Sequence, residues 1–86
     1  MKVRVVIVGR GYSDGSVYPE SLALPEDATV EHALIELAAL LPVESALSAT
    51  CLVAVSGRHV GTIGRHDNTS LRDGDELVVL APVAGG

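Results

Sequence analysis

The sequence predicts an α+β domain, a sheet crossed on one face by a single main helix. Three observations carry this. The periodic segments run in the order strand, strand, helix, strand, weak strand, strand. One segment only, PEDATVEHALIELAALLP, places apolar residues at helical spacing. The other apolar segments are short, and they either alternate or run unbroken, as half-buried and buried strands do.

The first strand is MKVRVVIV. Val3, Val5 and Ile7 fall on one face; Lys2 and Arg4 fall on the other, and so do Val6 and Val8. Its far end is therefore apolar on both sides. GRGYSDGS, residues 9 to 16, is punctuated by glycine and reads as a loop. A short second strand is expected at about residues 17 to 24, with Leu22 and Leu24 on one side and Pro19 making it irregular or an edge.

The helix has Thr29 as its N-cap and Glu31 at the positive end of its dipole. Val30, Ala33, Leu34, Leu37, Ala38 and Leu41 form the predicted buried stripe. Pro42 ends it. CLVAVSG reads as a buried strand, RHVGTIG as a weaker one, and NTSLRDGDE as a turn centred on Asp73-Gly74. LVVLAPV is the last strand. One helix covers one face of a sheet. Val6, Val8, Val78 and Leu80 are thereby left on the uncovered face, an apolar patch of the kind that marks a protein interface.

Composition narrows the function. The chain has 86 residues, enough for one small core. Only Tyr12 and Tyr18 are aromatic, and the formal charge is −5. An acidic domain without a basic stripe or stacking aromatics is a poor nucleic-acid binder. No apolar run approaches the ~20 residues that span a bilayer, and the N-terminus lacks a signal-peptide cleavage site. A lone cysteine, Cys51, excludes an internal disulfide and fits a reducing cytoplasm.

Several candidate sites are weak. GRGYSDG has neither phosphate-loop spacing, and no helix follows it directly. His32, His59 and His66 lack the tight spacing of a metal site, and His59 and His66 read as surface polar residues. Cys51 opens an apolar strand and reads as a small buried residue. Asp73, Asp75 and Glu76 are first explained by turn chemistry. No catalytic constellation of an independent enzyme is evident.

The C-terminus is the distinctive part. CLVAVSG resembles a "VAVN" strand and turn, LRDGDELVVL an "L-x-DGDEV" approach to a final strand, and APVAGG a "PPVAGG" end. These are motifs of the prokaryotic ubiquitin-like sulfur-carrier family (MoaD/ThiS-like), closest to the small subunit of molybdopterin synthase. Ser56 stands in place of the usual Asn, Ala81 in place of the first proline, and Leu80 in place of a common aromatic.

The resemblance implies a ubiquitin-like β-grasp with a mixed sheet over residues 1–81, followed by an extended tail, 82–86. It implies that a partner enzyme using ATP and Mg adenylates the Gly86 carboxylate, and that sulfur displaces AMP to give a thiocarboxylate. The chain itself would bind no cofactor or metal and would be a carrier, with catalysis in the large subunit of molybdopterin synthase or another acceptor enzyme. Pro82, Val83, Ala84 and Gly85 would thread the partners' channels, and Val6, Val8, Val78 and Leu80 would dock on them. The same chemistry serves thiamine thiazole and cysteine synthesis. A ubiquitin-like protein modifier and a non-covalent interaction module are the readings from other classes.

Overall fold

A computed structural model describes residues 1–8, 19–41 and 48–81. The loop expected at residues 9 to 16, Pro42 and the tail 82–86 lie outside the described residues. The elements are β1 (Lys2–Val8), β2 (Ser21–Ala23), α1 (Val30–Leu40), β3 (Leu52–Val55), β4 (Arg58–Thr62) and β5 (Glu76–Leu80). The strand order in the sheet is β2-β1-β5-β3-β4. β1 and β5 pair in parallel at the centre, and the other neighbours are antiparallel. The sheet is thus mixed, as the resemblance implied.

Alternation decides which side of each strand is buried. Val3, Val5 and Ile7 of β1, Val53 and Val55 of β3, and Leu77 and Val79 of β5 point to the helix side and form the core with Leu22 and Leu24. α1 buries Val30, Ala33, Leu34 and Leu37 against them. Burying a leucine as completely as Leu37 contributes about 1.5–3 kcal/mol. Ala38, placed in the stripe by sequence, is exposed instead. At about 100° per residue it lies roughly 80° round from Val30, on the flank of the stripe rather than at its centre. Of the second strand expected at 17 to 24, residues 17 and 18 lie outside the described residues, and over the rest the ladder to β1 runs only from Ser21 to Ala23.

The helix ends follow local chemistry. Thr29 is extended, and its Oγ1 accepts from the His32 N–H at 3.5 Å, a long cap. Leu41 takes φ −88° and ψ 144°. That extended conformation is the one a residue preceding proline prefers, because the proline ring crowds the helical alternative.

Turns set the register of the central strands. Ser56 and Gly57, both at positive φ, join β3 to β4 in two residues. Asparagine tolerates such a conformation better than serine does. Ser56 is held there because its Oγ donates to Asp75 Oδ1 at 2.9 Å and accepts from the Glu76 N–H at 3.2 Å. Asp73 and Gly74 form the predicted turn. Asp73 Oδ1 accepts from the Lys2 N–H at 2.7 Å, and the Gly74 N–H donates to the Lys2 carbonyl at 2.9 Å. Asp75 Oδ2 accepts from the Arg72 N–H at 2.8 Å. Asp73 and Asp75 are therefore turn-forming groups.

The segment after β4 contradicts one sequence expectation. His66 is not a surface residue: its side chain is 6% exposed. Its Nδ1 lies 2.9 Å from the Thr62 carbonyl and 3.1 Å from the Ile63 carbonyl. Both partners are acceptors, so Nδ1 carries the proton. Nε2 sits 3.6 Å from Glu31 Oε1 on α1. The reason is a tight fold-back onto β4. A Cβ at Gly61 would collide with the Arg65 carbonyl, so only glycine permits the approach that carries His66 inward. His59, by contrast, is exposed as expected.

Candidate functional site: the open sheet face and the end of β5

The face of the sheet away from α1 is a grid of side chains. The pairing Val8↔Leu80↔Leu52↔Thr62 makes one row, and Val6↔Val78↔Ala54↔His59 makes the next. Below them Arg4 faces Glu76, with 4.0 Å between Nε and Oε2. The face is thus divided. Its half nearest the end of β5 is apolar, and the other half is charged.

The four valine and leucine residues chosen from sequence come together as one patch. Val8 is 46% exposed and Leu80 39%, while Val6 and Val78 are half-buried between neighbours. Sequence reasoning missed Leu52, which is 43% exposed and lies directly across β5 from Val8, with Leu80 between them. Its strand was read as buried, but alternation puts Val53 and Val55 in the core and turns Leu52 outward. The exposure of neighbouring apolar residues, rather than of any one, makes this patch unusual for the surface of a small domain.

The last described residue leads away from this patch. The Ala81 N–H donates to the Val8 carbonyl at 2.7 Å, continuing the β1–β5 ladder by one bond. Backbone bonds alternate along β5, odd residues such as Ala81 facing β1 and even residues such as Glu76 facing β3, so Pro82, which has no N–H, could not donate to an extension of the β3–β5 ladder. Pro82, Val83, Ala84, Gly85 and Gly86 lie outside the described residues, and their attachment point is fixed at the rim of the apolar patch.

At the opposite, charged end of the sheet is an open depression of about 480 Å³, lined by Lys2, Arg4, Glu20, Ser21, Asp73 and Gly74. Cys51 is buried at 1% exposure beside Leu52. Among the described residues no three His, Cys, Asp or Glu side chains converge as a metal site.

A five-stranded mixed sheet with a parallel central pair and one helix across it is a ubiquitin-like β-grasp. The structure of SAMP1 from Haloferax volcanii has the same fold, with a TM-score of 0.70 over 100% of both chains at 22% identity. The model of the ThiS family matches residues 14–86, and the chain belongs to that family. It is also similar to a molybdopterin synthase sulfur carrier subunit from Chlamydomonas reinhardtii, 26% identical across 100% of both chains.

Proposed function

We propose that the protein is a sulfur carrier whose working group is the carboxylate of Gly86. A carboxylate is a poor electrophile. An adenylating partner converts it, with ATP, into an acyl-adenylate and releases pyrophosphate. A sulfur nucleophile then attacks the carbonyl, the carbon–oxygen bond to AMP breaks, and a thiocarboxylate remains. That sulfur is later transferred to an acceptor held by a second partner. Acid-activating and sulfur-transferring chemistry belong to the partners; the folded body positions the tail.

The observation that carries this reading is the placement of Ala81, which opens the APVAGG that the family model matches through Gly86, at the rim of an uncovered apolar face. A partner docked on Val6, Val8, Leu52, Val78 and Leu80 would sit directly beside the tail's origin. Five extended residues reach about 17 Å, enough to enter a channel from such a surface. The two terminal glycines require little width.

We assign the acceptor to molybdopterin synthesis, because the full-length C. reinhardtii relative is a molybdopterin synthase sulfur carrier subunit. The large subunit of that enzyme is then the second partner, and the lone, buried Cys51 suits a reducing cytoplasm. Incubation with an adenylating partner, ATP and a sulfur donor should replace one oxygen by sulfur at Gly86, read by intact mass. Deletion of Gly86 should abolish the change without altering the melting temperature. Retained sulfur transfer by a variant carrying an extra, untrimmed residue after Gly86 would refute the mechanism.

A further inference from the structure

An activated tail is a hazard to the protein that carries it. We infer that the fold keeps the acylated Gly86 from reacting with its own body, by holding the amines out of reach and burying the thiol. This rests on the carrier reading, but the test below does not depend on any partner enzyme.

Amines and thiols are the side chains that capture an acyl group lastingly. Hydroxyls are weaker nucleophiles, and an acyl-imidazole hydrolyses in water. Arginine remains protonated and is not a nucleophile at neutral pH. Of six basic side chains five are arginine, and Lys2 is the one lysine. The candidate targets are therefore Lys2 and Cys51, together with the Met1 terminal amine, which adjoins Lys2 and donates to the Leu24 carbonyl at 2.7 Å.

Distance protects Lys2. The parallel pairing puts Leu80 level with Val8, six positions along β1 from Lys2, and Ala81 continues one step further. Seven steps at about 3.3 Å amount to roughly 23 Å. Five residues in a random-coil regime would have an r.m.s. span of about 12 Å. Only a fully stretched tail meeting a fully stretched lysine would close the gap, and effective concentration falls towards zero where a linker cannot span its sites.

Burial protects Cys51. It precedes Leu52, which faces Leu80 across the β3–β5 pairing, so its backbone lies about one strand spacing, ~5 Å, from that of β5. It is well within the tail's reach, yet it is 1% exposed. Its N–H donates to the Ser48 carbonyl at 3.1 Å, and its carbonyl accepts from the Ile63 N–H at 3.0 Å, so the backbone on both sides is tied down. The exposed amine is too far, and the near thiol is covered.

The test uses the full chain released from an intein as a Gly86 thioester. Capture by an amine forms a C–N bond, breaks the C–S bond and releases the thiol with its proton. The product is cyclic and one water lighter than the free acid. The native wild-type thioester should hydrolyse with no monomeric cyclic product. Thr50→Lys places an amine on an exposed residue beside the end of β5. It should cyclise at least about ten-fold faster than it hydrolyses, as expected when the linker spans the sites; Thr50→Arg should behave as wild type. In concentrated urea the wild-type thioester should exchange onto Cys51 to give a cyclic thiolactone. Cyclisation of the native wild type onto Lys2, Met1 or Cys51 would overturn the inference. So would failure of Thr50→Lys to cyclise while its circular dichroism matches wild type. Failure of a partner enzyme to adenylate Gly86 would instead sink the carrier reading and leave these thioester results standing.

Discussion

The Ala81 N–H and the Val8 carbonyl, 2.7 Å apart, form the last backbone bond described before the tail. The first and last strands are thereby tied together where the tail begins. Family members with two prolines at this place cannot make that bond, since proline has no N–H. Ala81→Pro should therefore cost about 1 kcal/mol of stability, the net worth of one hydrogen bond. Sulfur loading should be unchanged. Urea titration and intact-mass loading assays measure the two effects separately.

The apolar rows of the open face should matter for docking and little for folding. Leu52→Asp and Leu80→Asp, on residues already well exposed, should each weaken binding to the adenylating partner by about 30-fold, a loss near 2 kcal/mol typical of a central interface position. Their melting temperatures should move little. Calorimetric titration beside thermal melts would show this. Undiminished binding by both variants would exclude the patch as the docking surface.

Gly61 should be intolerant of any side chain. Its φ is +137°, and an added Cβ would come 2.7 Å from the His66 Cα and collide with the Arg65 carbonyl. Both contacts are with backbone, so neither can swing away. Gly61→Ala should destabilise by about 3 kcal/mol or more. Gly57→Ala, where nothing lies within 4 Å, should cost only the strain of positive φ, roughly 1 kcal/mol. Urea midpoints of the two variants give the comparison.

His66 should be found with its proton on Nδ1 when neutral, because two carbonyl oxygens face that atom. Nitrogen chemical shifts of the ring read the tautomer directly. His66→Phe keeps the ring's bulk but removes that donor from both carbonyls, and should cost about 1–3 kcal/mol. A ring protonated only at Nε2 would show that the fold-back after β4 differs from the one described.

Much of the fold was legible in sequence because its signals are local. Alternation in MKVRVVIV separates Val3, Val5 and Ile7 from Val6 and Val8 without reference to anything else. The Asp73-Gly74 turn and the Thr29 cap are likewise properties of a few adjacent residues. Leu52 and His66 escaped for the opposite reason. Whether Leu52 joins the patch depends on the register of β3 against β5, which pairs Leu52 with Leu80 across a long stretch of sequence. Whether His66 is buried depends on a glycine whose close approach no periodicity announces. DGDEL and APVAGG made the family legible as a resemblance, while the geometry up to Ala81 came from the strand pairing.

The parallel junction of β1 with β5 has a consequence for synthesis. Residues 4 to 8 find their partners at 76 to 80, and β3 also needs β5 as its neighbour. Such distant pairings make for high contact order and slow folding. On the ribosome, the sheet cannot assemble until residue 80 has cleared the exit tunnel. A translating chain therefore offers no finished docking platform, and truncated products arrested before that point should be recognised by chaperones and proteases rather than by an adenylating enzyme.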